Sequence, residues 1–109
     1  MIERAITPQL HQLFDQYPVV TVTGPRQSGK TTLCRATFPD LAYVNLESPD
    51  NREFATDDPR GFLSRFGEGA ILDEIQRTPD LVSYLQVHVD EHRRNGLFVL
   101  TGSQQFRVS

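Results

Sequence analysis

Apolar and polar residues succeed one another along this chain in blocks that predict short helices and strands. Thr7-Pro8 has the form of a helix cap followed by the first helical residue, and apolar residues at positions 10, 13 and 14 then fall on one helical face. The helix is expected to end by Tyr17, because Pro18 disfavours a helical conformation in the residue before it. Residues 19–23 follow as a β-branched run, which predicts a buried strand.

The rest of the chain continues this alternation of helices and strands. The pattern predicts a helix over 31–36, a strand over 42–46, short helices over 52–56 and 60–66, a strand over 70–72, a helix from Pro79 to about 94 and a strand over 97–100. Apolar residues at 81, 85 and 89 give the last helix a core face, and Asn95-Gly96 is expected to stop it. Strands that alternate with helices indicate an α/β protein with a mostly parallel sheet.

Several residues that could carry chemistry are interpreted as structural. Cys34 falls inside the second predicted helix and is expected to be a small core residue, and His11 lies on the polar side of the first helix. His88 and His92 have the i, i+4 spacing that can bind a metal, but they lack the glutamate of the zinc-protease pattern, so both are expected at the surface. The acidic stretch over 47–58 is interpreted as solvated helix starts, since no metal-ligand spacing stands out.

The composition describes one small globular domain. The chain has 109 residues, 38% of them apolar, and a formal net charge of −3. That charge gives no support for nucleic-acid binding. The opening residues 1–4 contain no hydrophobic signal region, and no apolar run approaches the length of a membrane span. We therefore expect a cytoplasmic protein that does not bind a membrane.

A glycine-rich loop with the spacing of a phosphate-binding motif lies between the first predicted strand and the next helix. Its residues are Gly24, Pro25, Arg26, Gln27, Ser28, Gly29, Lys30 and Thr31, followed by Thr32. The glycines let successive backbone N–H groups point at phosphate oxygens, to which the helix adds its positive end. Lys30, the only lysine among 11 basic residues, would reach the outer phosphates, and the Thr31 hydroxyl would ligate Mg²⁺. Arg26 either contacts phosphate or faces solvent.

A second signature follows the third predicted strand, which ends in two carboxylates, Asp73 and Glu74. A parallel strand delivers such residues to the carboxyl edge of the sheet, where ligand sites of α/β proteins lie. Asp73 is predicted to hold Mg²⁺ opposite Thr31, and Glu74 to orient and polarise a water for attack on the terminal phosphate. Thr101 or Ser103, at the end of the fourth strand, could hydrogen-bond that water or the γ-phosphate, although a plain turn between strand and loop is the alternative.

Four segments carry a more specific pattern. They are Gly24-Pro25-Arg26-Gln27-Ser28-Gly29-Lys30-Thr31-Thr32-Leu33, Val44-Asn45-Leu46-Glu47, Ile71-Leu72-Asp73-Glu74-Ile75-Gln76-Arg77 and Leu100-Thr101-Gly102-Ser103-Gln104. Together they resemble one group of prokaryotic P-loop ATPases of the AAA+ superfamily, over nearly the whole chain. The resemblance implies Walker A and Walker B roles for the first and third segments and a sensor role for the last. It also implies a three-layer P-loop NTPase fold with sheet order 5-1-4-3-2, and Mg²⁺-dependent binding and hydrolysis of ATP.

Members of this group usually continue into a fifth strand, a lid and a C-terminal domain, whereas this chain stops at Ser109. Residues 1–109 are therefore interpreted as the N-terminal part of such an ATPase domain, truncated after the fourth core strand. The expected partners are ATP and either further copies of the chain or a C-terminal domain. An arginine finger supplied in trans is worth about 10³–10⁵ in rate. Without these parts, we expect an intact nucleotide site but weak or no turnover.

Three other functions on the same fold are alternatives to ATP hydrolysis. One is a regulatory or scaffold module, in which bound nucleotide stabilises the fold without significant hydrolysis. Another is a small-molecule kinase, which is disfavoured because the adjacent Asp73-Glu74 pair suits water as the acceptor and no arginine-rich lid is present. A GTP-specific protein is excluded on composition, since the usual guanine-reading motif needs a second lysine and the chain has none.

Overall fold

The computed structural model describes residues 7–24 and 29–102, which form alternating helices and strands. In chain order these are α1 (Thr7–Gln16), β1 (Val19–Thr23), α2 (Lys30–Thr37), β2 (Ala42–Asn45), α3 (Pro49–Asp57), α4 (Pro59–Arg65), β3 (Ala70–Asp73), a 3₁₀-helix (Ile75–Arg77), α5 (Leu81–His92) and β4 (Phe98–Gly102). Every predicted helix and strand has its counterpart, and the 3₁₀-helix is an addition. The expectation for residues 1–4 falls outside the described ranges.

The bounds of α5 differ from the prediction at both ends. The helix begins after Pro79 rather than at it, and it ends where Arg93 adopts a left-handed backbone conformation with φ of 53°. The predicted stop at Asn95-Gly96 is therefore wrong. Gly96, with φ of 69°, instead brings its N–H to the carbonyl oxygen of Tyr17 at 3.0 Å, which aligns the entry to β4 with the entry to β1.

The four strands form one sheet in the order β1-β4-β3-β2, and each neighbouring pair is parallel. The α/β class predicted from the sequence is confirmed, and the order agrees with the one that the resemblance implied for these four strands. β3 and β4 occupy the centre of the sheet. The carboxyl ends of all four strands consequently meet at one edge, where the polar residues that follow them are brought together.

Helices cover both faces of the sheet and so give three layers. On one face, α3, α4 and α5 pack on a core that includes Ala55, Phe62, Leu72, Leu85 and Leu100. On the other face, α1 and α2 pack on a core that includes Leu10, Val22, Cys34, Ile71 and Val99. Because alternate side chains of a strand share a face, Asp73 and Thr101 lie on the side of the sheet that α2 covers.

Cys34 is a core residue, as predicted, and its side chain is fully buried. Burial in the first place, and the charge of Asp73 in the second, raise the pKa of its thiol to about 12, while the nearby Lys30 opposes the shift. The thiol is therefore protonated at neutral pH and is a poor nucleophile. His11 is exposed, also as predicted.

His88 corrects the prediction that both histidines of α5 lie at the surface. His92 is exposed, but His88 is only 9% exposed, with its ring stacked on His92 at 4.0 Å and set edge-on to Phe98. The Nε2 atom of His88 is buried and has no hydrogen-bond partner. The spacing contained the signal for this burial, because His88 follows Leu81 by two helical turns on the apolar face.

The stability of the fold is expected to fall as the pH is lowered through the range in which histidine titrates. Burial in the first place, and the charge of His92 in the second, lower the pKa of His88 below its ordinary value of 6.5. Because the folded state disfavours the charged ring, the contribution of neutral His88 to the free energy of unfolding is complete above pH 6.5. This contribution is lost as the pH falls through the lower pKa of the folded state. For one proton the slope is at most about 1.4 kcal/mol per pH unit. Urea unfolding at a series of pH values measures it.

Two histidine substitutions provide the matched comparison for this pH dependence. His88→Leu removes the buried ring and should flatten the slope, whereas His11→Gln changes an exposed ring and should preserve it. A His88→Leu chain that keeps the wild-type slope would show that another group is responsible.

The acidic segment over 47–58 contains α3 and the cap residue of α4, and its aspartates are exposed, in agreement with solvated helix starts. One of them has a structural role, because Asp58 Oδ1 accepts a hydrogen bond from the Gly61 N–H at 3.1 Å and caps α4. Across the described ranges, no helix has the length and apolar character needed to cross a membrane.

Candidate functional site

The predicted site residues converge at the carboxyl edge of the sheet. Asp73 is the last residue of β3 and Glu74 the next in the chain, while Thr101 lies near the end of β4. α2 starts beside them, with Lys30 and Thr31 in its first turn. The strand order produces this convergence, because β4 stands between β1, which leads into the glycine-rich loop, and β3.

The two glycines of the loop lie where β1 ends and α2 begins. Gly24 follows β1 directly, and Gly29 precedes α2 in a left-handed conformation with φ of 86°, which glycine adopts without steric cost. The carbonyl oxygen of Gly29 accepts the Leu33 N–H at 2.9 Å and so closes the first helical turn. Lys30 is buried and Thr32 is exposed. The predicted contacts at residues 25–28, Arg26 among them, lie outside the described residues.

Asp73 is the centre of a hydroxyl cluster and is only 5% exposed. Its Oδ1 accepts from the Thr101 hydroxyl at 2.5 Å. Its Oδ2 accepts from Thr31 Oγ1 at 3.1 Å and from the Tyr43 hydroxyl at 2.5 Å. One buried carboxylate therefore joins residues of α2, β2 and β4. The structure brings Thr31 and Asp73 together, as the sequence predicted.

Glu74 has an unusual backbone conformation for a residue other than glycine. It is left-handed, with φ of 60° and ψ of 49°, at the start of the 3₁₀-helix. Its N–H donates to Thr101 Oγ1 at 3.3 Å, and its Oε1 accepts from Gln76 Nε2 at 2.6 Å. Such conformations cost about 1–3 kcal/mol and cluster at active sites. The backbone N–H and the carboxylate of Glu74 are thus both held by hydrogen bonds with neighbouring side chains.

Thr101, which was predicted to contact water or phosphate, hydrogen-bonds both acidic residues of the site. Its side chain is fully buried, and its hydroxyl donates to Asp73 and accepts from the Glu74 N–H. Thr101 therefore joins the two acidic residues, and its contact with a ligand stays a prediction. Ser103, the other candidate at this position, lies outside the described residues.

Two residues that contact the acidic pair were not identified from the sequence as site residues. Tyr43 lies on β2 inside an ordinary strand pattern, and Gln76 lies in the 3₁₀-helix after Glu74. Neither position matches a local motif that specifies its contact. The contact of Tyr43 with Asp73 arises because β2 pairs with β3, so the strand order was the signal that could have found it.

The residues at this edge fit a magnesium ion that a nucleotide helps to hold. Mg²⁺ prefers oxygen ligands, and it is usually bound through one or two carboxylates together with substrate phosphates. Asp73 and Thr31 supply a carboxylate and a hydroxyl side by side. Within the described ranges, no group of three histidine, cysteine or acidic side chains could hold a metal ion alone. Asp73 and Thr31 would thus hold Mg²⁺ that arrives with phosphate.

A parallel β1-β4-β3-β2 sheet, with a glycine loop between β1 and α2 and a carboxylate at the end of β3, defines a P-loop NTPase-like fold. Comparison with known families agrees with this class. The model of a family described as "AAA domain" matches residues 16–109, and the chain belongs to that family. AAA-type domains are nucleotide-binding modules in general.

Two curated relatives are similar over most of this chain. They are the uncharacterized protein Rv2008c of Mycobacterium tuberculosis and the uncharacterized protein Mb2031c of Mycobacterium bovis, each 38% identical over 107 residues. The alignment covers 94% of this chain and 24% of each relative, so the chain spans about a quarter of their length. No solved structure matches the chain.

Proposed function

We propose that this chain binds ATP with Mg²⁺ and is the nucleotide-hydrolysing part of an AAA+ type ATPase. The observation that carries the proposal is the meeting of Thr31 and Asp73, at 3.1 Å, where the helix after the glycine-rich loop faces the end of β3. Family membership supports nucleotide binding, and the proposal adds the nucleotide's identity, the metal and the reaction.

In this proposal, the glycine-rich loop binds the phosphates. Gly24 and Gly29 allow the backbone between β1 and α2 to curl, and the amino end of α2 directs its N–H groups and its partial positive charge at an anion. Lys30, in the first turn of α2, adds a full positive charge for the outer phosphates.

Asp73 and Thr31 hold Mg²⁺ in the proposed complex, and Thr101 keeps Asp73 in place from β4. The bound ion would neutralise charge on the phosphate oxygens. This arrangement explains why three hydroxyl groups surround a single buried carboxylate, since hydrogen bonds fix the direction in which it presents its oxygens.

Glu74 is the proposed base that orients and polarises the attacking water. Its left-handed backbone ends the extended conformation of β3 at this residue. The hydrogen bonds from its N–H to Thr101 and from Gln76 to its carboxylate restrict its position further. Gln76 thus acts on Glu74 as a positioning residue.

A nucleotide-binding regulatory module without significant hydrolysis is the second candidate. The observation that favours it is the Gln76–Glu74 hydrogen bond of 2.6 Å, which already occupies one oxygen of the proposed base. In this case, turnover would require Glu74 to exchange its hydrogen bond with Gln76 for one with the attacking water.

Calorimetric titration with ATP and Mg²⁺ tests the proposal on the chain and on two variants. Lys30→Ala should weaken binding about 10- to 100-fold, because a charge-assisted contact with phosphate is lost. Glu74→Gln should bind as the wild type does, while any phosphate release falls by about 10²–10⁴. Measurable release by the wild type that is lost in Glu74→Gln would exclude the regulatory module.

Arg94→Ala is the matched control for Lys30→Ala, since it also removes one positive charge. Arg94 is exposed and lies between α5 and the amino end of β4, whereas the proposed site is at the carboxyl ends of the strands. ATP affinity should therefore not change. Circular dichroism establishes that each variant is folded. A folded wild-type chain that binds no ATP, or equal affinity in the wild type and Lys30→Ala, would overturn the proposal.

A further inference from the structure

The Tyr43 hydroxyl reaches the carboxylate at the centre of the site from outside every recognised motif. β2 pairs with β3 so that Asn45 is opposite Asp73. Tyr43 lies two residues before Asn45, so its side chain is on the same face of the sheet as that of Asp73. Its hydroxyl extends diagonally across to Asp73 Oδ2 at 2.5 Å. The contact therefore depends on the register between the two strands.

Asp73 is consequently held from both neighbouring strands. Tyr43 of β2 donates to Oδ2 and Thr101 of β4 donates to Oδ1, with β3 between them. A carboxylate that accepts hydrogen bonds on both oxygens cannot rotate without losing one of them. The plane of the Asp73 carboxylate is thereby fixed, and Oδ2 remains within 3.1 Å of Thr31 Oγ1.

The ring of Tyr43 is itself held in place. It packs against the core between the sheet and the helices α1 and α2, and the Arg35 guanidinium lies 4.4 Å from its centroid, within the range of a cation–π interaction. A phenol carries its proton at neutral pH, so the Tyr43 hydroxyl is the donor in its hydrogen bond to the Asp73 carboxylate.

We propose that Tyr43 is a positioning residue of the metal site, whose hydroxyl fixes the Asp73 carboxylate in the orientation in which Asp73 and Thr31 bind the Mg²⁺ of Mg-ATP. This inference rests on the proposed function. Its physical basis is that groups which hydrogen-bond to metal ligands fix ligand orientation, and their loss typically costs about 10- to 100-fold in metal affinity.

Tyr43→Phe tests the inference, because it removes one oxygen atom and keeps the packed ring. ATP binding is measured by calorimetry at increasing Mg²⁺ and also with EDTA in place of Mg²⁺. The Mg²⁺ concentration that gives half of the metal-dependent gain in affinity should rise about 10- to 100-fold. Affinity for metal-free ATP should not change, whereas a disturbed fold would weaken both.

Tyr84→Phe is the matched control, since Tyr84 is an exposed tyrosine on α5, which packs on the face of the sheet opposite α2. It should retain the wild-type Mg²⁺ dependence. Wild-type Mg²⁺ dependence in Tyr43→Phe, or equal weakening with and without Mg²⁺, would overturn the inference and leave the proposed function standing. ATP binding by the wild type that does not respond to Mg²⁺ would instead overturn the magnesium site itself.

Discussion

Replacement of Gly69 by alanine is expected to cost the fold about 2–6 kcal/mol, from backbone strain and overpacking together. Gly69 has φ of 100°, a conformation that other residues rarely adopt. A Cβ atom at this position would also lie 1.9 Å from the carbonyl oxygen of Leu97, a backbone atom that cannot move aside. The same oxygen accepts the Ala70 N–H at 2.9 Å, so relief of the clash would disturb the pairing of the central strands β3 and β4.

The loss would be a large fraction of the roughly 5–15 kcal/mol that stabilises a typical domain. Urea unfolding followed by circular dichroism measures it. Gly67→Ala is the control, because a Cβ atom there meets only the Ser64 carbonyl oxygen at an ordinary 3.5 Å. If Gly69→Ala proved as stable as Gly67→Ala, the close approach of Gly69 to Leu97 would be wrong.

Asp73→Asn is expected to remove most of the effect of Mg²⁺ on ATP binding. The substitution replaces a proposed metal ligand, so the loss in Mg²⁺ affinity should exceed the roughly 100-fold upper range for an outer hydrogen-bonding group. It should also lower the free energy of unfolding by about 1–3 kcal/mol, because one amide cannot accept from all three hydroxyl groups that now donate to the carboxylate.

Calorimetry with and without Mg²⁺ measures the effect of Asp73→Asn on Mg²⁺-dependent ATP binding. Urea unfolding measures its effect on the free energy of unfolding. Asp80→Asn is the matched control, since Asp80 is an exposed residue just before α5 whose side chain makes no capping hydrogen bond. It should leave both measurements unchanged. Wild-type Mg²⁺ dependence in a folded Asp73→Asn chain would remove Asp73 from the proposed metal site.

The sequence predicted the elements of this fold well because its local signals agree with one another. The β-branched run over 19–23 became β1 with the predicted bounds, whereas α3 and α4 begin at Pro49 and Pro59, three residues and one residue before the predicted starts. The strand order followed from resemblance, since pattern alone does not specify which parallel strands are neighbours. The prediction that His88 lies at the surface was wrong because it was based on the polarity of the residue. Its spacing from the apolar residues of α5 places it on the buried face of that helix.

The proposed site could be predicted only where its residues belong to contiguous motifs. Lys30, Thr31 and Asp73 are recognisable in this way, and the structure adds that the last two are in contact. The contact of Tyr43 depends on strand register, which no local pattern contains. The left-handed conformation of Glu74 also had no signal, because neither glycine nor asparagine occupies that position.

In the part of the chain that the structure describes, β1 has a strand neighbour on one side, β4, and none on the other. The peptide groups of such an edge are a template on which another extended segment can pair. β1 continues directly into Gly24, so a segment that paired there would also constrain the backbone that leads into the glycine-rich loop. If pairing at this edge raised nucleotide affinity, bound nucleotide would favour pairing by the same factor.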